Sequence, residues 1–580
     1  MRYPKRFWLL AGAIVALTFV VYLPSLGNGF VRLDDDGYVL ENPLIRSISP
    51  SLFTSYCMGN YHPLVMLVYA VVHAMAGLEP AAYHVVSLVL HLICTVLVSM
   101  VLLELTGKAG VAALAGLLFG LQPVHVESVV WVSALKDPMY TLFFLLSMFF
   151  HMRYIKSGYR KVHLMYCLIA FVCALLSKGM AVTLPLVLLL IDRFMDRRID
   201  AKALLEKVPF LALSLLFGII AIQAQASAEA LMEAGRYSFP QRIVFASYAF
   251  ITYLWKMIVP YGLSAFYPYP VAPGGAMGGL LVYPLALLAL AALVVYGSRR
   301  SKVIWFGMGF FTVTVLLVLQ LFPYGEAVMA DRYSYLSSIG IYMIIAYGVD
   351  ALYQRLAWRR VVQVTSVLAL AACGYLTLEQ GKVWHDSMTL FNAVLEKHEV
   401  PIIYNNRGNA FADRGEQEKA VKDFSRALAI APTLKQAYSN RGLALTTLGR
   451  HEEALNDLDA AVRLDGDYAE AIYNRGNVHF ARKDYPKAFA DYDRTVELEP
   501  ANAKAWCNRA NIYTMTGQHQ RAIEEYSTAV RLDPGLVTAY GNRGGAYLEL
   551  KRIPEACADF QRALALGDER ARSMVAQLCN

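Results

Sequence analysis

Charged residues are scarce in this chain. Asp, Glu, Lys and Arg make up 17% of its 580 residues, too little polar surface to wrap one soluble globule of that length. A hydrophobic content of 57% and a mean hydropathy of +0.41 point the same way. The eight cysteines form no CxxC pair and keep no regular spacing, so neither a zinc site nor a disulfide framework is indicated. The net charge of +8 is modest, and the basic residues crowd into short breaks between apolar segments, so no nucleic-acid partner is implied. No small-residue cleavage site follows the first apolar run, Phe7–Leu26, which is read as a retained anchor.

What is present divides near residue 380. Before it, eleven apolar segments from Phe7–Leu26 to Val361–Leu378 qualify as membrane spans, several needing flanking residues to reach the roughly 20 a spanning helix requires. Two more stretches, Pro63–Ala76 and Ile243–Val259, are ambiguous. With neither crossing, about 19 Lys or Arg fall in breaks on one side and about 8 on the other, and the positive-inside rule makes the first side cytoplasmic. The expectation is therefore eleven spans, the N-terminus inside, the C-terminal region outside and both ambiguous stretches along the outer surface. Letting both cross restores the same parity after Ile243.

With that topology, unusual polar residues share the outer side. They are Asp34, Asp35 and Asp36, then His62, then His125 and Glu127 with Trp131 and Lys136-Asp137, then Lys178, and finally Glu326 and Asp331-Arg332-Tyr333. Charges beside membrane spans are costly enough to mark a pathway, a pair or a site. A carboxylate could deprotonate a hydroxyl acceptor, while Lys178 and Arg332 could stabilise a departing phosphate. Asp34, Asp35, His125 and Glu127 are also donors that a hard divalent metal takes, so a metal stays open. Each has a plainer reading: solvated aspartates, a helix-capping His125 and Glu127, a snorkelling Lys178, an Arg332 paired only with Asp331.

After residue 400 an Asn-Arg-Gly triplet or a close variant returns every 34 residues, at Asn406, Asn440, Asn474, Asn508 and Asn542. With Pro401 as position 1, position 8 is Gly or Ala, position 20 is always Ala, position 24 is aromatic or Leu, and position 32 is Pro in three repeats. This is the tetratricopeptide pattern, in which small residues let paired helices approach and successive pairs stack into a curved solenoid. Position 23 is always acidic. The five asparagines form a ladder able to donate to and accept from an extended peptide, similar to the peptide groove of the O-linked N-acetylglucosamine transferases. The alternative is that they only fix neighbouring helices.

Gly29-Phe30-Val31 before Asp34-Asp35-Asp36, Tyr38, Glu41-Asn42-Pro43, His62-Pro63-Leu64, His125-Val126-Glu127, Leu176-Ser177-Lys178-Gly179 and Arg332-Tyr333-Ser334-Tyr335-Leu336 occur in one order. That series, with the repeats, resembles the transmembrane-and-tetratricopeptide-repeat O-mannosyltransferases and their bacterial relatives. The resemblance implies a C-type membrane glycosyltransferase using a polyprenyl-phosphate sugar on the non-cytoplasmic face. It implies Asp34 or Asp35 as the base, Lys178 and Arg332 toward the lipid phosphate, and Asp36, His62, His125 and Glu127 shaping the site.

The expected fold is all-α: a polytopic membrane domain (1–380), a linker (381–400), five repeats (401–570) and a tail (571–580). The expected function is sugar transfer from the lipid carrier to a hydroxyl, Ser or Thr of a protein held by the repeats. The rivals are transfer to a glycan or lipid, and a non-catalytic scaffold. The expected location is a bacterial inner membrane with periplasmic repeats, or an endoplasmic reticulum membrane with luminal repeats in a eukaryote.

Overall fold

Proline and glycine punctuate the apolar segments, and the computed structural model places helix ends at them. It describes residues 5–227, 237–271, 275–321 and 325–579, and the chain divides into two units, Met1–His398 and Glu399–Asn580. The first unit begins with α1 (Lys5–Tyr22), α2 (Pro63–Ala76), α3 (Pro80–Thr106), α4 (Ala109–Leu121) and α5 (Val126–Val130). Next come α6 (Lys136–Lys156), α7 (Lys161–Leu175), α8 (Leu184–Phe194), α9 (Ala201–Leu205) and α10 (Val208–Ser227). The last are α11 (Phe239–Ile258), α12 (Val282–Ser298), α13 (Lys302–Val315), α14 (Ser334–Tyr353), α15 (Arg359–Val383) and α16 (Ser387–Leu395). Pro63 and Pro80 open α2 and α3, where the missing N–H has no helical partner to lose. Gly107 ends α3 in the left-handed region at φ +68°.

Among the described residues six helices are long and apolar enough to cross a membrane, and the bent pair Ala109–Leu121 and Pro123–Val130 makes a seventh if it is one span. This corrects the expected eleven. α7, α8 and α13 have 15, 11 and 14 residues, short of a hydrocarbon core of about 30 Å at about 1.5 Å per residue. α6 has 21 residues but carries charges at both ends. The span expected at Val303–Phe322 also ends on a residue outside those described. Inside the unit, α13 and α14 cross so closely that a Cβ on Gly340 would strike the Gly307 carbonyl, the small-residue contact membrane helices favour.

In the second unit five helix pairs follow at 34-residue intervals, from Pro401–Asp413 with Gln417–Ile430 to Val537–Glu549 with Ile553–Ala565. Ala420, Ala454, Ala488, Ala522 and Ala556 are all fully buried. A Cβ on Gly408 would sit 2.6 Å from the Phe424 ring, and one on Gly442 2.7 Å from Leu458. Position 8 is thus small because position 24 fills the space above it. The segment expected as a linker is instead the end of α15 and all of α16, and residues up to His398 belong to the first unit. The expected tail folds as a helix, Ala571–Leu578, packed on the last repeat. Cys557 and Cys579 form a disulfide there, which the cysteine spacing does not reveal.

Candidate functional site

Asp34 and Asp35 lie between α1 and α2 and meet different surroundings. Asp35 is buried and accepts from the Val31 N–H at 2.8 Å, from the Ser133 N–H at 2.9 Å and from the Ser133 hydroxyl. Burial pushes its carboxyl up to about 7, against the pull of those hydrogen bonds. It is the clasp joining this segment to the turn before α6. Asp34 is half-buried, and its carboxylate makes no hydrogen bond to a described residue. Asp36 turns toward Arg32, 3.7 Å away.

Two acid–base pairs stand nearby. Glu127 on α5 accepts from the Arg332 N–H at 3.0 Å and from its guanidinium, while that guanidinium lies over the rings of Trp131 and Tyr333 at 5.2 and 4.9 Å. Asp137, in the first turn of α6, is paired with Lys178 from the α7–α8 connection. β1 (Tyr267–Pro268) pairs antiparallel with β2 (Ala327–Met329), and the Tyr267 hydroxyl holds Asp331 at 2.9 and 3.0 Å. That brace sets the residue just before Arg332.

Lys136, at the start of α6, links these parts. Its ammonium donates to the Tyr38 hydroxyl at 3.2 Å and lies 4.5 Å from that ring's centre. Its electrostatic neighbours are Asp34, Arg332, Asp137 and Tyr333. His62 packs 5.2 Å from the Tyr38 ring, and burial, with Lys136 and Lys178 nearby, keeps it uncharged. Asp34, His62, Glu127, Lys178 and Arg332 therefore meet in one cluster. Lys136, Asp137 and Tyr38 belong to it too; a charged pair opening an apolar segment was the available signal.

His125 does not join them. It is buried against Phe119 and Tyr335, bonded to the Phe119 carbonyl at 2.8 Å and to the Ser338 hydroxyl at 3.1 Å. It sits in the helical core, satisfied on both ring nitrogens. With His125 in the core, Asp35 clasped and Glu127 on Arg332, the expected metal donors are dispersed. No group of three or more His, Cys, Asp or Glu among the described residues could hold a metal ion.

The segment once expected as a linker braces the cluster. The Gly29 N–H donates to the His385 carbonyl at 2.9 Å and the Arg32 N–H to the Ser387 hydroxyl at 2.9 Å, holding both flanks of the stretch that leads into Asp34.

In the repeats, four of the five asparagine amides donate to the preceding unit. Asn440 donates to Asn405 at 3.0 Å, Asn474 to Ser439 at 3.3 Å, Asn508 to Tyr473 and Asn477 at 3.0 Å each, and Asn542 to Asn511 at 2.8 Å. In the first repeat, Asn406 accepts from Asn405 at 3.4 Å. Asn440 and Asn474 each spend one of two amide N–H groups in this way and Asn406 none, so donors as well as acceptors remain on the ladder. The invariant arginine is the structural key. Arg475 grips Asp491 of its own repeat at 2.7 and 3.0 Å and Asp459 of the preceding one at 2.8 Å. Arg441, Arg509 and Arg543 repeat that bridge. The position-23 acids serve this bond.

Comparison with known proteins agrees with both halves. The family model described as "TPR repeat" matches residues 408–449, 442–482 and 476–517, and "Tetratricopeptide repeat" matches 503–536. The protein O-mannosyl-transferase TMTC1 of Homo sapiens is 24% identical over 495 residues, covering 73% of this chain and 55% of that protein. TMTC4 of Mus musculus is 24% identical over 489 residues, covering 72% and 66%. A crystal structure of MamA protein is 26% identical over 30% of this chain and 95% of that one, with a TM-score of 0.26. The chain spans about half the length of most of the protein O-mannosyl-transferases it matches over this range. Along nearly three-quarters of its own length, it is similar to the transmembrane-and-tetratricopeptide-repeat O-mannosyltransferases.

Proposed function

We propose that this chain is an integral membrane glycosyltransferase. It moves a sugar from a polyprenyl-phosphate carrier to a Ser or Thr hydroxyl of a protein engaged by the repeats, on the non-cytoplasmic side. The observation that carries the reading is the division of labour between neighbouring carboxylates. Asp35 is consumed by the fold, and Asp34 is left open beside a cationic cluster.

The chemistry follows. Asp34 accepts the proton of the acceptor hydroxyl as its oxygen bonds to the sugar's anomeric carbon. The bond from that carbon to the phosphate oxygen breaks, and the electron pair leaves with the phosphate. The carrier changes from a phosphodiester with one negative charge to a monoester with about two near neutral pH. Arg332 and Lys178, each already neutralised by a carboxylate, keep unspent N–H groups that orient the phosphate.

The Cys557–Cys579 disulfide supports the placement of the array, because such bonds persist in oxidising compartments. The remaining asparagine acceptors suit the N–H groups of an extended peptide.

The test is incubation of the purified full chain with radiolabelled polyprenyl-phosphate sugars and an acceptor protein. Label in Ser- or Thr-linked glycopeptides supports the reading. Label in glycolipid makes the acceptor a glycan or lipid. No transfer from any donor leaves a scaffold.

A further inference from the structure

The cluster has three cations, and their surroundings are unequal. Arg332 is matched by Glu127, and Lys178 by Asp137. Lys136 has no bonded carboxylate among the described residues; one N–H goes to a neutral phenol, Tyr38, and two stay free. It opens a 21-residue helix, where the macrodipole is already positive and a cation is disfavoured. Nothing in helix stability calls for a lysine there. His62, the nearby imidazole, adds no charge. A half-buried positive charge next to a helix N-terminus calls for an anion.

The carboxylate nearest to filling that role is Asp34, a neighbour of Lys136 through space but not through a hydrogen bond. Its charge disappears once it takes the acceptor's proton. At that moment Lys136 loses the compensation of Asp34, and keeps only that of Asp137, which is already paired with Lys178, while the leaving phosphate gains a charge. A group whose field strengthens as the reaction proceeds lowers the barrier rather than merely holding the ground state.

We propose that Lys136 is the cation that contacts the departing phosphate of the donor, while Arg332 and Lys178, tied to their carboxylates, orient it. This rests on the donor reading given above. In the step, the oxygen that leaves the anomeric carbon becomes the third anionic or protonated oxygen of the monoester. The two free N–H groups of Lys136 donate to that phosphate, and no proton leaves the ammonium.

The experiment measures binding of undecaprenyl monophosphate and of undecaprenol to the full chain in lipid nanodiscs. Wild type should prefer the monophosphate. Lys136→Gln and Lys136→Met should each weaken the monophosphate by about tenfold or more, leave the alcohol unchanged, and keep the wild-type melting temperature. Lys136→Arg should retain binding within about threefold, because it keeps the charge. Asp34→Asn should bind the monophosphate as well as wild type while losing transfer.

Unchanged monophosphate binding in both neutral variants overturns the proposal. So does unchanged binding with a shifted acid limb of the pH–rate profile, which makes Lys136 a positioning residue for Asp34. A wild type that binds alcohol and monophosphate alike overturns the donor reading itself, which separates the two failures.

Discussion

Asp35 reaches across the fold to Ser133, accepting from both its N–H and its hydroxyl, and so fixes where Asp34 stands. The two aspartates should therefore fail differently. Asp34→Asn should abolish sugar transfer with an unchanged melting temperature, since its carboxylate makes no hydrogen bond to a described residue. Asp35→Asn puts an amide donor against the Val31 or Ser133 donors, and each buried donor left unmatched costs about 1–3 kcal/mol. Its loss of activity should track a lowered melting temperature. Equal melting of both variants would contradict the clasp.

Asp35 also gives the chain a pH signature. Its carboxyl is raised from the ordinary 3.8 to about 7 in the fold, so the folded state holds this proton more tightly than the unfolded chain. That contribution is fully present below the unfolded value and is lost as pH rises through about 7. Melting temperature should fall from about pH 5 to about pH 8, and Asp35→Asn should flatten the slope although it lowers the whole curve. Thermal melts across that range check both.

The parts of this arrangement readable in the sequence are those repeated or flanked by strong local signals. The solenoid is legible because period, small residue and aromatic recur together, and Gly408 under Phe424 shows why they must. Arg475 and Asp491, 16 positions apart in every repeat, were equally visible, yet their bond appears only once two helices pair. Asp34 and Asp35 cannot be told apart by sequence, because the partner that distinguishes them lies 98 residues away at Ser133. His125 reads as a site histidine from its neighbours Pro123 and Glu127. Its fate is decided by Phe119 and by Ser338, 213 residues along. Span counting fails where packing lets short helices such as α8 sit against α6 and α13.

Glu127 and Arg332 make a buried pair whose partners should not be separable. Glu127→Gln leaves the guanidinium without its carboxylate, and breaking such a pair costs about 3–5 kcal/mol. Removing both charges with Glu127→Gln and Arg332→Gln should cost less than the sum of the single changes. A double-mutant cycle on unfolding measures the difference. Strict additivity would make the pair incidental.

The arginine bridges make neighbouring repeats cooperative. Arg475→Gln removes two bonds to Asp491 and one to Asp459 of the preceding unit. Partial exposure tempers the loss, to about 1–3 kcal/mol. Hydrogen exchange should quicken on both sides of Arg475, in the pairs Lys435–Leu464 and Ala469–Leu498. Quickening confined to the mutated repeat would remove the bridge from the account of cooperativity.

The disulfide makes the sidedness of the array measurable. Cys557 and Cys579 are the bonded pair, while Cys57, Cys94, Cys167, Cys173, Cys373 and Cys507 are free. Protein taken from cells with free thiols blocked under denaturing conditions should gain two maleimide labels only after reduction. The Cys557→Ser variant should gain none, since its lone Cys579 is blocked with the rest. Losing the cross-link should lower the stability of the last repeat and its capping helix by about 3 kcal/mol, the entropy of a loop this size. If reduction exposes no new thiols, the array matures in a reducing compartment. The placement of Asp34 and the repeats on the non-cytoplasmic side then loses its chemical support.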